Sequence, residues 1–143
     1  MAESEVYKNE EKHSLKAVNL GLEDDRWEVM HLDLEENKNN KCPKLMWSSF
    51  GLLDLPEEIF EFTWLENLNL SYNKLTSLSK KIGQLTNLKS LDLSFNELTE
   101  LPEEIFNLEH LSYLRLSANR LTAFPKGIGR VTNPEPYDLA PIN

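Results

Sequence analysis

Two kinds of side chain in this sequence could do chemistry: a thiol accompanied by histidines, and adjacent pairs of carboxylates. Cys42 with His31 or His13 would supply a nucleophile and a base. That chemistry needs a thiol of lowered pKa and a base held by an Asn or Asp orienter. No orienter, no oxyanion loop and no cationic setting for Cys42 can be identified. The three histidines and single cysteine also lack metal-ligand spacing, so no metal is expected. Glu57-Glu58 and Glu103-Glu104 could pass for an acid and base pair. Gly83, Gly127 and Gly129 do not form a phosphate-cradling loop, and no cofactor is expected.

The elements that carry these residues decide what the carboxylates are for. Aligned on Leu65, Leu88 and Leu111, the chain reads LENLNLSYNKLTSLSKKIGQLTN, LKSLDLSFNELTELPEEIFNLEH and LSYLRLSANRLTAFPKGIGRVTN. Positions 1, 4, 6, 11, 14, 18 and 21 are apolar in each. A looser unit starts at Cys42 and keeps the rule through Leu45, Trp47, Leu52, Leu55, Ile59 and Phe62. Chance would fill all these positions on the order of 10⁻¹¹ of the time, before allowing for the choice of phase. Position 16 then reads Glu57, Lys80, Glu103, Lys126, and position 10 reads Lys74, Glu97, Arg120. Signs alternate between neighbouring units, which is the pattern of cross-unit surface pairs worth about 0–1 kcal/mol each. The carboxylates are therefore structural, and the chain is expected to be no enzyme.

Composition narrows the function classes further. A chain of 143 residues suffices for one domain with a core. No stretch approaches the roughly 20 apolar residues of a membrane span, and MAESEVYKNEEKHS lacks a secretory apolar region. One cysteine excludes an internal disulfide framework, which together with the missing leader suits a cytoplasmic protein. The formal charge of −9 is uneven. Residues 1–41 hold 11 acids against 6 bases, whereas residues 42–133 hold 11 against 9. No basic stripe is present to neutralise phosphates, so neither nucleic acid nor membrane is an expected partner.

Within each unit, the LxLxL alternation has the period of a short strand, Asn at position 9 marks a turn, and PEEIF or KKIGQL reads as a helical or 3-10 return. One unit cannot close a core; stacked copies bury one another's leucines behind a parallel sheet. The pattern LxxLxLSxNxLTxLPxxIxxLxx resembles the leucine-rich repeat, and the PxxI return with a 23-residue period resembles its Ras-group subclass. That resemblance implies an α/β solenoid with a concave parallel sheet, used for binding proteins, with small GTPases or signalling enzymes among the partners it allows. It covers residues 42–133 as four repeats. Residues 1–14 read as a disordered acidic tail, and 15–41 as an N-terminal cap. Two alternating strands around the acidic Glu23–Arg26 turn predict a β-hairpin there, with a partial repeat from Val29 as the competing reading. Pro134, Pro136 and Pro141 suit a terminating edge over 134–143.

Asn73, Asn96 and Asn119 at position 9 are expected to form a ladder that satisfies turn backbone, with Phe50 breaking it in the first unit and Ser79 replacing the return Pro. Alternation turns positions 3, 5 and 7 away from the leucines, with position 8 at the rim. Met46, Asn69, Tyr72, Asp92, Phe95, Tyr113 and Arg115 are the candidate partner-binding residues on that face. Asp92–Arg115 pairing and Tyr72–Phe95 stacking are competing structural uses for four of them. The function expected is a non-enzymatic adaptor or regulator that binds a protein or peptide and takes no small-molecule substrate. An acidic inhibitor masking a basic enzyme is the alternative, motivated by Glu23, Asp24 and Asp25.

Overall fold

Three residues of strand are all that each 23-residue unit can spend before its turn, and this sets the architecture. The structure, a computed structural model, describes residues 20–122. It runs α1 (Asp24–Asn40), β1 (Lys44–Met46), η1 (Glu57–Glu61), β2 (Asn67–Asn69), η2 (Lys80–Gln84), β3 (Ser90–Asp92), η3 (Glu103–Asn107) and β4 (Tyr113–Arg115), where η marks a 3-10 turn. The four strands form one parallel sheet in chain order. Register advances by one unit per strand: Lys44 faces Asn67, Asn67 faces Ser90, and Ser90 faces Tyr113. The acidic tail at 1–14, the start of the cap at 15–19, the fourth unit from residue 123 and the edge at 134–143 lie outside the described residues.

Leu45, Leu68, Leu91 and Leu114 occupy the inward position of the strands and are buried in one column. Behind them stand columns from position 6 (Trp47, Leu70, Leu93, Leu116) and position 11 (Leu52, Leu75, Leu98, Leu121). Ile59, Ile82 and Ile105 close the core from the return side. Full burial of each such side chain is worth about 1.5–3 kcal/mol, so the columns hold the stack together. Pro56 and Pro102 enter η1 and η3 with φ of −64° and −68°, the value a proline ring imposes. Ser79 replaces the proline before η2 and caps it differently: its hydroxyl accepts from the Lys81 N–H at 3.2 Å. A Cβ on Gly83 would lie 3.1 Å from Glu104 Cβ, so this glycine serves the close packing of η2 on η3.

The expected hairpin is not what covers the first coil. Residues 24–40 form an α-helix, which also replaces the partial repeat proposed from Val29. The spacing that wins is Trp27, Met30, Leu34 and Asn37, a helical stripe whose members are all buried. Val29 and Leu32, which produced the apparent alternation, are exposed at 50% and 67%. Asp25 in the first turn suits a helix N-terminus, and Lys41 ends the helix in the left-handed region with its N–H donating to the Asn37 carbonyl at 2.7 Å.

Polar side chains then fasten α1 to the solenoid. Asn37 accepts from Trp64 Nε1 at 2.7 Å and donates to the Cys42 carbonyl at 3.2 Å. The indole of the buried Trp47 donates to Asp33 at 3.3 Å. Arg26 donates to the Ser49 carbonyl and lies 5.9 Å over the Phe50 ring. Asn37 is only 3% exposed, and its removal would strand an indole N–H and a carbonyl. Asn37→Ala is therefore expected to lower unfolding free energy by about 1–3 kcal/mol in urea titrations, with exposed Asn39→Ala changing it by less than about 0.5 kcal/mol.

Candidate functional site

The turn after each strand determines which side chains are free for recognition. Asn73 Nδ2 donates to the carbonyls of Trp47 (2.8 Å) and Leu70 (2.9 Å), while its Oδ1 accepts from the N–H groups of Phe50 (3.1 Å) and Leu52 (3.0 Å). Asn96 repeats this with Leu70, Leu93 and Leu75, and Asn119 with Leu93, Leu116 and Leu98. Each asparagine thus serves its own coil and the coil before it. Phe50 breaks nothing, because no earlier coil needs an asparagine from the first unit. The side chain packs against the core instead.

The ladder also bends the chain. Ser49, Tyr72, Phe95 and Ala118 at position 8 all have positive φ, between 53° and 62°. For residues with a Cβ this conformation costs roughly 1–2 kcal/mol. It throws position 8 outward at every rim: Tyr72 is 54% exposed and Phe95 46%. Their rings stack face to face, 4.2 Å between centroids and 6° from parallel.

Sequence reasoning misplaced position 7. Ser71 and Ser94 are buried, not presented on the open face. Asn69 Oδ1 accepts from the Ser71 N–H (2.9 Å) and hydroxyl (2.7 Å), and Asp92 Oδ1 accepts from the same groups of Ser94 (2.9 and 2.6 Å). An Asx residue at position 5 followed by Ser at position 7 was the legible signal for this closure. Asn69 and Asp92 consequently carry structural duties. The other Asp92 oxygen lies 3.8 Å from Arg115, a loose ion pair.

Of the sequence-predicted residues, Met46, Asn69, Asp92 and Arg115 form one row across β1–β4 by register. Tyr113 lies in the parallel row, and Tyr72 and Phe95 form the rim. Asn69 Nδ2 and the Tyr113 hydroxyl have no hydrogen-bond partner among the described residues. A groove of about 270 Å³ between α1 and β1, lined by Asp33, Asn37, Cys42 and Met46, adjoins the row. Sequence reasoning missed it, since it depends on the helix. Cys42 is half-buried there, not sunk in the leucine column. His31 lines a different hollow of about 100 Å³ with Trp27, Glu58 and Phe62. Among the described residues, Cys42 and His31 thus line separate hollows. Glu97 pairs with Arg120 at 2.9 Å, the same-position cross-coil contact read from sequence, whereas Glu57 pairs at 2.5 Å with Lys81, one position beyond the aligned Lys80. Among the described residues no group of three or more His, Cys, Asp or Glu could hold a metal, and no helix is long and apolar enough to cross a membrane.

The architecture is a parallel-sheet repeat solenoid with an open concave face and an aromatic rim. The chain belongs to the leucine-rich-repeat family: the model described as a leucine-rich repeat region matches residues 47–139. It is similar to a solved leucine-rich-repeat protein of Leptospira interrogans, at 35% identity and a TM-score of 0.61. The match covers 75% of this chain and 34% of that one, so this chain spans about a third of that protein's length. No curated protein matches the chain. Proteins of this family generally bind other proteins.

Two stability measurements check the site's construction. Asn96→Ala is expected to cost about 2–4 kcal/mol by equilibrium unfolding, because it strands backbone groups on two coils; Phe50→Asn gains nothing, having no earlier coil to serve and the Trp47 carbonyl of its own coil already held by Asn73. A Tyr72→Ala, Phe95→Ala double-mutant cycle is expected to return a coupling of about 0.5–1.5 kcal/mol.

Proposed function

We propose that this chain is a non-enzymatic adaptor or regulator that binds another protein or a peptide on the concave sheet and its aromatic rim. One observation carries the reading. Among the described residues, Met46, Tyr72 and Phe95 are half of the six large hydrophobic side chains left exposed, and all three lie on this side. Exposed apolar groups gathered on one face mark interaction surfaces more often than scattered ones do. The Ras-group subclass is part of the proposal, on the strength of the 23-residue period and the prolines at 56 and 102. So is a cytoplasmic setting, on the strength of a single free cysteine.

Size limits how the partner binds. Four three-residue strands cover about 200 Å² at ordinary strand spacing, against about 800 Å² per partner in a standard interface. The sheet must therefore be supplemented by the rim and by the groove between α1 and β1, or the ligand is a short peptide. Tyr113→Ala with Arg115→Ala is expected to weaken recovery of bound proteins in pull-downs by at least about tenfold, the scale of one interface hot spot. Equal recovery by wild type and the double variant refutes the concave-face assignment.

The second reading, an acidic inhibitor of a basic enzyme, draws on α1, which carries six acids and two bases. Its inhibition would fall steeply between about 50 and 500 mM salt, because exposed charges are screened over that range.

A further inference from the structure

The first strand leaves one edge of the sheet open. Every later strand hydrogen-bonds back to the coil before it through positions 3, 5 and 7. In β2 the Asn67 N–H donates to the Pro43 carbonyl, and the carbonyls of Asn69 and Ser71 accept from the N–H groups of Trp47 and Ser49. β3 and β4 repeat these bonds one unit later. In β1 the equivalent groups are the Lys44 N–H and the carbonyls of Met46 and Ser48, and no earlier coil stands opposite them. None of the three has a hydrogen-bond partner among the described residues. Lys44 and Met46 are exposed, so water satisfies these groups and an incoming strand can replace it. Shortness and a lysine are ordinary protections of an edge against growth of sheet on sheet; they leave the backbone groups themselves unpaired.

The helix α1 runs beside this edge without closing it. Arg26 donates to the Ser49 carbonyl beyond one end of β1, and Asn37 donates to the Cys42 carbonyl before the other. Between these anchors lies the groove of about 270 Å³. Lys44, Leu45 and Met46 line it from the strand, and Asp33, Glu36 and Asn37 from the helix. Asp33 and Glu36 are three residues apart on α1, which makes them neighbours on its surface. Neither forms an ion pair among the described residues. Lys44 is the one base in the lining, so the groove keeps an excess of one negative charge.

We propose that this groove takes an extended segment of a partner protein, which adds to β1 as a further strand and offers a basic side chain to Asp33 and Glu36. Main-chain bonds to the Lys44 N–H and to the Met46 and Ser48 carbonyls supply affinity whatever the sequence of the segment. The two carboxylates and the exposed Met46 side chain select what it carries. This rests on the reading of the chain as a protein- or peptide-binding module and adds where and in what form a peptide joins the sheet. It also meets the shortage of area, because a strand added at an edge is held by backbone hydrogen bonds and needs little of the sheet's face.

The test uses the full chain and three blocked five-residue peptides, followed by amide NMR shifts and hydrogen exchange. The first alternates threonine and valine about a central lysine. The second replaces that lysine by glutamate, and the third keeps the lysine but carries a methyl group on every internal backbone nitrogen. The lysine peptide is expected to shift the amides of Asp33, Glu36, Lys44, Met46 and Ser48 and to slow exchange of the Lys44 N–H. In the free protein that N–H exchanges faster than its paired equivalents at Asn67 and Ser90. Methylation weakens binding about tenfold, the scale of two lost hydrogen bonds. The glutamate peptide binds about threefold more weakly than the lysine peptide, and Glu36→Gln weakens the lysine peptide by a similar factor, the scale of one exposed ion pair. Glu35→Gln, on the same helix but lining the other hollow, controls for general charge loss and leaves the affinity unchanged. If the methylated peptide binds as well as its parent, or Lys44 exchange is not slowed, strand addition is overturned. Equal binding of the glutamate peptide overturns the basic assignment. If the lysine peptide shifts only Tyr72, Phe95, Tyr113 and Arg115, the edge is not the site and the concave-face reading stands without it. If it shifts no residue at millimolar concentration, the edge proposal falls, and the concave-face reading is decided separately by the Tyr113 and Arg115 double variant.

Discussion

The asparagine amide at the end of each strand is the constraint on which the rest of this structure depends. A 23-residue coil must turn out of its strand within a few residues, and that turn leaves carbonyls and N–H groups that no sheet partner can reach. Buried and unpaired, each would cost about 1–3 kcal/mol. A single amide side chain offers two donors and an acceptor with two lone pairs. Asn73, Asn96 and Asn119 use both ends at once, on two consecutive coils. Hydrogen bonding in the turns is therefore cooperative along the solenoid, just as leucine burial is.

The same device explains why the rim is available for recognition. Tyr72, Phe95 and Ala118, each before an inward asparagine, lie in the left-handed region, and Ser49 before Phe50 adopts the same conformation, its turn held by Asn73 of the next coil. Such a residue cannot point into the core, so its side chain is free of any packing duty. Small residues fill the position at Ser49 and Ala118, and large aromatics at Tyr72 and Phe95, which recover part of their exposure cost by stacking. Strain here is a consequence of the fold and recurs at all four turns. What distinguishes the middle two is the choice of side chain.

Periodicity made the solenoid legible, because the signal is summed over four units and every buried column reports it. The ladder was legible for the same reason. The cap was not. Residues 27–34 admit both a strand alternation and a helical stripe, and the choice between Val29/Leu32 and Trp27/Met30/Leu34 rests on Trp47 and Trp64, far along the chain. Asn37 reads as an ordinary polar residue until its two partners, 5 and 27 residues away, are brought beside it. Asn69 and Asp92 stood out as variable surface residues. Their closure of Ser71 and Ser94 needed the actual turn geometry to be seen, though the Asx-x-Ser spacing pointed that way.

Separating structural from recognition duties changes how the charge of this molecule reads. Sheet and return segments lie on opposite sides of the leucine columns, so their side chains never meet. Each side can therefore hold its own sign at little mutual cost, with a core's thickness of about 10 Å (more than a Debye length at physiological salt) between them. Pairs such as Glu57–Lys81 and Glu97–Arg120 add cross-coil contacts within a side, each too exposed to weigh much in stability. Net charge, the first quantity a sequence offers, averages over both surfaces. For a solenoid this thin, the rows of one face describe its local charge better than the total does: Lys44, Asp92 and Arg115 are the charged side chains of the two sheet rows.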